Sequence, residues 1–174
     1  MSPAKARVPA IEGWFTLDSD APALIGSRCA SCGTFTFPKE TVFCRNPACS
    51  GTEFADTELS RTGRVWSYTN ACYQPPKPYV AADPYVPFSL AAVELAPEQM
   101  VVMGQVATGV TVDDLSVGCE VELVLETLYE DDDHEYLVWR WRPTGPAPDD
   151  RRTPAHPGPG HPPAADGEEG GSRA

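Results

Sequence analysis

Two pairs of cysteines carry the clearest chemistry in this sequence. Two residues separate Cys29 from Cys32, four separate Cys44 from Cys49, and eleven lie between the pairs. Because a short turn brings two thiolates together, two such turns can close four sulfurs around one ion. Gly33 follows the first pair and can adopt the backbone torsions that a knuckle needs beyond its second sulfur. The spacing predicts one tetrahedral metal site.

The chemistry of this site favours zinc in a structural role. Four thiolates fill a tetrahedral shell and leave no position for water or substrate, so the ion would stabilise the fold and not act as a Lewis acid. Iron is the main competitor, but the four-residue second knuckle is looser than the two tight knuckles of rubredoxin. Arg28 and Arg45 adjoin ligands and would offset the negative charge of the site. We predict one zinc ion per chain.

The remaining reactive residues form no catalytic pattern. Cys72 could be a nucleophile, but the one histidine in the part expected to fold, His134, follows an acidic run at a hairpin tip, so no activated pair is expected. That run lacks the glycine and distal glutamate of a calcium-binding EF-hand. The sequence contains no P-loop, dinucleotide-binding fingerprint or G-x-S-x-G elbow. We name no catalytic residues.

The overall composition excludes several classes of partner. The net charge of −12, from 25 acidic and 13 basic residues, would repel a phosphate backbone, so no nucleic acid partner is expected. No apolar run approaches the roughly 20 residues that span a bilayer, and the N-terminus lacks the apolar stretch of a signal peptide. We predict a cytoplasmic protein with no membrane partner. In a reducing compartment six cysteines indicate metal binding more than disulfides.

The elements that must position the cysteines are short strands, and a longer β-domain follows them. Its strand signals cover residues 63–73, 88–96, 100–108, 119–130 and 134–142. Alternation in the fifth strand should point Leu137, Trp139 and Trp141 inward. Residues 109–118 leave room for a helical turn, and proline keeps residues 74–87 out of a central ladder, so they should form a surface loop. Five strands in this order predict an OB-fold barrel.

The sequence divides into four parts. Residues 1–22 form an N-terminal segment in which Ile11, Trp14, Phe15 and Leu17 lie near helical spacing, which predicts a short amphipathic helix. Residues 23–57 form a zinc ribbon and residues 58–143 the barrel. Residues 144–174 contain no large apolar side chain, which predicts a disordered tail. Trp14 and Phe15 would pack on this barrel or form a partner interface, and the sequence does not decide between them.

The order of these motifs resembles the DUF35 family over about residues 11–143. The resemblance rests on Trp14-Phe15, on the cysteines with Phe37-Pro38, on the segment Gly63-Arg-Val-Trp-Ser-Tyr-Thr69, and on the late segment Asp114-Leu-Ser-Val-Gly118. It implies a rubredoxin-like zinc ribbon joined to an OB-fold. It also implies a non-catalytic subunit whose partner is a thiolase-like or lipid-transfer-protein-like enzyme, an aldolase or thiolase that cleaves carbon–carbon bonds in acyl-CoA, as in steroid side-chain degradation.

Under that resemblance, acyl-CoA would bind at or near the subunit interface. Exposed basic residues could then contact its phosphates, and the candidates are Arg61, Arg64, Lys77, Arg140 and Arg142. Two alternatives stay open. One is a free-standing OB-fold module that binds acyl-CoA or a nucleotide on its exposed strand face. The other is single-stranded nucleic-acid binding through stacked tyrosines, which the net charge opposes.

Overall fold

The structure is a computed structural model that describes residues 5–76 and 83–145. It contains two β-sheets, one of three strands and one of six. In chain order the strands are β1 (Ala6–Pro9), β2 (Ile25–Cys29), β3 (Phe35–Thr36), β4 (Phe54–Glu58), β5 (Thr62–Ala71), β6 (Phe88–Leu95), β7 (Met100–Gln105), β8 (Glu120–Glu130) and β9 (His134–Pro143). The smaller sheet carries the cysteines.

The smaller sheet has the order β3-β2-β4, and both pairings are antiparallel. Its central strand β2 contains Gly26, where a Cβ atom would lie 2.7 Å from the carbonyl oxygen of Thr36. Ser27 is buried beside it and its hydroxyl is hydrogen-bonded to that of Thr36 at 2.8 Å. The small residue at position 26 therefore leaves room for the Thr36 carbonyl and for the Leu59 side chain, which pack against it.

The larger sheet has the order β1-β9-β8-β5-β6-β7 and closes into a barrel. Its first barrel strand β5 pairs with β6 and β8, and a parallel bridge between Val106 and Trp141 joins the ends of β7 and β9. This is the OB-fold pairing. The five predicted barrel strands are confirmed with boundary shifts of a few residues. Leu137, Trp139 and Trp141 are buried, as the alternation predicted.

The barrel is partly open between β7 and β9, and aromatic rings fill the opening. Trp139 packs so closely over Gly104 of β7 that any Cβ there would overlap its ring. The Trp139 ring meets Trp141 edge-on at 5.8 Å and Phe37 of the ribbon at 6.2 Å, and Phe37 in turn meets Trp14 at 5.5 Å. A continuous series of edge-to-face contacts therefore joins the N-terminal segment, the ribbon and the barrel core.

The predicted N-terminal helix is wrong. The described residues contain no α-helix, and the segment that holds Trp14 and Phe15 is extended: Phe15 forms an antiparallel bridge with Leu24, and the Ile25 N–H donates to the Trp14 carbonyl at 2.8 Å. Gly13 precedes it with a φ of +74°, which a right-handed helix does not allow. The apolar residues of this segment do not share one buried face, since Phe15 packs inward while Ile11 is 44% exposed.

The connection between β7 and β8 is described in full, whereas the predicted tail and part of the predicted surface loop are not. The connection between β7 and β8 contains a single 3₁₀ turn, Val112–Asp114, where a helical turn was expected. The predicted tail lies outside the described residues from position 146 onward, as do residues 77–82 of the predicted surface loop. Across the described ranges, no helix is both long enough and apolar enough to span a membrane.

An acidic side chain on β8 holds the connection from the ribbon to the barrel. Glu122 accepts a hydrogen bond from Arg61, in the connecting segment, at 2.6 Å and another from Arg142 of β9 at 2.6 Å. The hydrogen bond from Arg142 has the largest effect on the pKa of Glu122. Together with the bond and charge of Arg61 it outweighs burial and holds that pKa below its ordinary value of 4.5. Its charge therefore stabilises the folded state above that ordinary pKa, and the stabilisation is lost as pH falls through the lowered one.

We predict that Glu122→Gln lowers the free energy of unfolding at pH 7 by about 1 kcal/mol, because the side chain is mostly buried and has two guanidinium partners. The difference from wild type should shrink as the pH is lowered from about 4.5. Urea unfolding at both pH values measures it. Glu120→Gln is the matched control, since the Glu120–Arg64 pair is exposed and should contribute little. Equal losses in the two variants would contradict the prediction.

Candidate metal centre

The four predicted ligands meet at one end of the ribbon. Cys29 is the last residue of β2, Cys32 lies in the turn towards β3, and Cys44 and Cys49 lie in the loop between β3 and β4. Their sulfur atoms all lie within 4.8 Å of one another. Cys29 Sγ is 3.9 Å from Cys49 Sγ, and Cys32 Sγ is 3.5 Å from Cys44 Sγ. The sequence spacing thus brings all four thiols to a single point.

These distances suit one tetrahedral ion. Four sulfurs each about 2.3 Å from a zinc ion stand about 3.8 Å from each other. The described residues offer no histidine or carboxylate within this group, so the donor set is four thiolates. The arrangement fits a closed structural site, in which the ion joins the β2–β3 turn to the β3–β4 loop.

The backbone around the sulfurs is shaped for thiolates. The N–H groups of Asn46 and Gly51 donate to Cys44 Sγ and Cys49 Sγ, each at 3.4 Å. A Cβ at Gly51 would lie 2.9 Å from Cys29 Sγ, so only glycine leaves room for that sulfur. Gly33 follows the first knuckle with a φ of +75°, as its place after Cys32 predicted. Hydrogen bonds and small residues therefore hold the sulfurs in place.

The thiols differ in how readily they ionise. The hydroxyl and backbone N–H of Thr34 lower the pKa of Cys32 to about 6. The pKa of Cys44 is raised to about 12: the Asn46 N–H lowers it, but burial and the neighbouring thiols outweigh that bond. Binding of a cation would displace the protons that remain on the thiols, because metal ligands must be thiolates.

Both arginines beside the ligands lie near the centre, in different settings. Arg28 places its guanidinium 5.5 Å from the centre of the Phe35 ring, and its Nη2 is 3.3 Å from the position a Cβ would take at Gly33. Arg45 instead donates to Glu40 at 3.0 Å. Arg28 is thus the better placed to offset the charge of a tetrathiolate site, since Arg45 is neutralised by its own carboxylate.

Trp14 and Phe15, the residues expected at a partner interface, pack within this chain. Phe15 is 4% exposed and belongs to the hydrophobic core, while Trp14 is half-buried against that core and Phe37. This is the packing alternative that the sequence left open. Their role at a partner interface stays a prediction, and replacing either residue would disturb the fold before it reported on assembly.

Two family models match this chain along its folded part. Residues 20–55 match the rubredoxin-like zinc ribbon domain of ChsH2, and residues 56–126 match its C-terminal OB-fold domain. A DUF35 domain-containing scaffold protein of Methanocaldococcus jannaschii is 33% identical over 120 residues, which cover 68% of this chain and 79% of that protein. This chain belongs to the DUF35 family. Its four clustered cysteines form the zinc centre of the ribbon.

Two further relatives of this DUF35 chain are known within larger assemblies. The benzoylsuccinyl-CoA thiolase subunit BbsA of Thauera aromatica is 42% identical over 53 residues, but the match covers only 30% of this chain and 35% of that subunit. A solved structure titled Ltp2-ChsH2(DUF35) aldolase contains a similar chain, with a TM-score of 0.50 and 28% identity, over 70% of this chain and 84% of that one. The two ChsH2 family models reach both the ribbon and the barrel of this chain.

The basic residues considered for CoA phosphates already have carboxylate partners. Arg61 and Arg142 share Glu122, Arg64 pairs with Glu120 at 3.0 Å, and Arg140 lies 3.2 Å from Glu126. Lys77, the fifth candidate, lies outside the described residues. A phosphate at any of the four arginines would compete with a glutamate of this DUF35 chain, which weakens them as anion sites.

Proposed function

We propose that this chain is a non-catalytic accessory subunit of a thiolase-like enzyme that cleaves carbon–carbon bonds in acyl-CoA substrates. The observation that carries the proposal is the likeness of 70% of this chain to a chain of an Ltp2-ChsH2(DUF35) aldolase. The DUF35 scaffold protein and the thiolase subunit BbsA point to the same kind of role. An aldolase of steroid side-chain degradation is the partner we favour, with a thiolase as the alternative.

The chemistry of the chain agrees with such a division of labour. Four thiolates close the zinc shell, so the ion offers no site to a substrate. His134 lies at the β8–β9 hairpin beside Asp131, whose carboxylate is 3.4 Å away, and in the described part of the chain it has no cysteine partner. Cys119 is buried and Cys72 is exposed. We infer that the catalytic groups belong to the partner, with acyl-CoA bound at or near the interface.

We predict that the purified chain turns over no acyl-CoA, whereas a mixture with a cognate thiolase-like subunit, isolated by co-purification with this chain, does. Adding the chain should raise the partner's melting temperature, because binding to the folded partner stabilises it by mass action, or raise the rate at which the partner cleaves its substrate. Release of propionyl-CoA or acetyl-CoA from β-hydroxyacyl-CoA or β-ketoacyl-CoA candidates measures the rate. The control is the partner alone. Robust turnover by the isolated chain would contradict the accessory role.

One observation keeps the ligand-binding alternative open. A cavity of about 390 Å³ opens near the β7–β9 end of the barrel, lined in part by Phe88, Gln105 and Arg140. That volume is within the range of small-molecule sites. Calorimetric titration of the isolated chain with CoA and with acyl-CoA separates the two functions: binding without any partner supports a free-standing module, and binding only in the complex supports the accessory subunit.

A further inference from the structure

The outer surface of β5, β6 and β7 carries a group of apolar side chains where a barrel normally faces water, with polar residues such as Ser67, Thr69 and Gln105 around them. The register places Ala92 of β6 between Ser67 of β5 and Met103 of β7, so all three side chains lie on the side away from the core, with Ala92 itself only 9% exposed. A β-bulge between Val65 and Ser67 adds Trp66 beside them. With Leu90 and Val101 on the same side, these residues form what we call the outer face: Trp66, Leu90, Ala92, Val101 and Met103.

The outer face carries exposed side chains of the kind that protein interfaces use. Trp66 is 64% exposed and Met103 is 67% exposed, and no described residue covers them. Tryptophan and methionine are enriched at interface cores, and charged residues are depleted there. Two charged residues on these strands, Arg64 and Glu94, also lie on the outer side. They are opposite each other in the β5–β6 register, at one end of the face. The outer face is therefore an apolar surface with a charged border, as a docking site requires.

Charge decides between the possible occupants. A nucleic acid would need cations along the strands, but the acidic chain places only Arg64 there, and Arg64 is paired with Glu120. A second copy is disfavoured because two chains that each carry a net charge of −12 repel each other overall, although the outer face itself is bordered by one cation and one anion. The remaining occupant is a different protein whose own surface is apolar with a neutral or basic border.

We propose that the outer face is the surface through which this chain docks onto its thiolase-like partner, with Trp66 as the central anchor. The inference rests on the proposed function and adds to it the surface that is used. In OB-folds the second and third barrel strands form the usual ligand face, and here those strands are β6 and β7. The face is built from rigid strands, so it is preformed for a large, flat partner surface.

The test is the affinity of the purified chain for a purified thiolase-like subunit that co-purifies with the wild-type chain. Trp66→Asp should weaken binding by at least about 30-fold, as loss of a central aromatic anchor does, and Met103→Asp by about tenfold. Phe43→Asp is the matched control, because Phe43 of the ribbon is also 64% exposed but lies on another surface. It should change the affinity less than twofold. Unchanged zinc content and melting temperature would show that each variant is folded.

Oxidative footprinting gives an independent measurement on wild-type protein. Trp66 and Met103 should be labelled in the free chain and protected several-fold in the complex, while Phe43 keeps its labelling in both. Wild-type affinity in Trp66→Asp, or protection of Phe43 in place of Trp66, would overturn the assignment of this face. Two other results would also overturn the assignment. The first is that the isolated chain forms a dimer and Trp66→Asp dissociates it. The second is that Trp66 is protected in the free chain and that deletion of residues 146–174 removes this protection.

The experiment separates this inference from the proposed function. If the wild-type chain binds no thiolase-like protein, the accessory role and this occupant are both wrong. If the wild-type chain binds and Trp66→Asp binds equally well, the accessory role stands and only the docking surface is wrong.

Discussion

Replacing Cys32 with serine should remove the zinc ion and unfold the ribbon. Cys32 is one of four sulfurs within 4.8 Å of one another, and three thiolates with a hydroxyl bind zinc far more weakly than four thiolates. Because metal-binding free energy in such sites is folding free energy, we expect a loss of several kcal/mol. Metal analysis should fall from about one zinc per chain to well below half, and thermal unfolding should begin at a much lower temperature.

Cys72→Ser is the matched control for this prediction. Cys72 is exposed and lies outside the cluster, so its variant should retain the wild-type zinc content and melting temperature. Full metal occupancy together with wild-type melting in Cys32→Ser would show that Cys32 is not a ligand. If metal analysis of the wild-type protein finds about one iron per chain in place of zinc, the metal is misassigned.

Gly104→Ala should destabilise the barrel by about 3 kcal/mol, the upper end for an overpacked core. A single Cβ at this position overlaps the ring of Trp139, and that ring is buried and packed against Phe37 and Trp141, so moving it would disturb their packing as well. Urea denaturation gives the free energy of unfolding. Gly145→Ala is the control, because nothing lies within 4 Å of a Cβ built there. Equal stability of the two variants would contradict the packing described.

The barrel and the metal centre were predictable because both depend on short-range patterns. The paired cysteines bring sulfurs together through turns of a few residues, so spacing alone defines the site. In β9 the inward-facing Leu137, Trp139 and Trp141 lie at every second position, as the pleat of a strand with one buried face requires. Neither pattern requires knowledge of distant parts of the chain.

The N-terminal helix shows where such patterns become ambiguous. The spacing of four apolar residues over seven positions suits a helical face, but it suits an irregular extended segment equally well. These residues are Ile11, Trp14, Phe15 and Leu17. Gly13 and the pairing of Phe15 with Leu24 decide the outcome, and that pairing depends on a neighbour that the local sequence does not identify. Strand β1 was missed for a similar reason, since its partner β9 is far along the chain.

The outer face could not be predicted from alternation. Strict alternation after the inward-facing Val65 would put Ser67 inside and Tyr68 outside. The bulge between Val65 and Ser67 reverses this, so that Ser67 is exposed and Tyr68 packs against the core. A bulge of one residue leaves no clear mark in the sequence, yet here it decides which side chains a partner would meet.

The pairing of β1 with β9 has a consequence for synthesis of the protein. Strand β1 lies parallel to β9, and the nearby ion pair joins Lys5 to Glu130, 125 positions apart. A ribosome therefore releases the N-terminal strand long before its partner exists, and the edge of β1 stays unpaired until β9 has emerged. Contacts of such long sequence separation also close slowly. During translation the ribbon can fold around its metal early, whereas the last edge of the barrel is sealed only after most of the chain has been made.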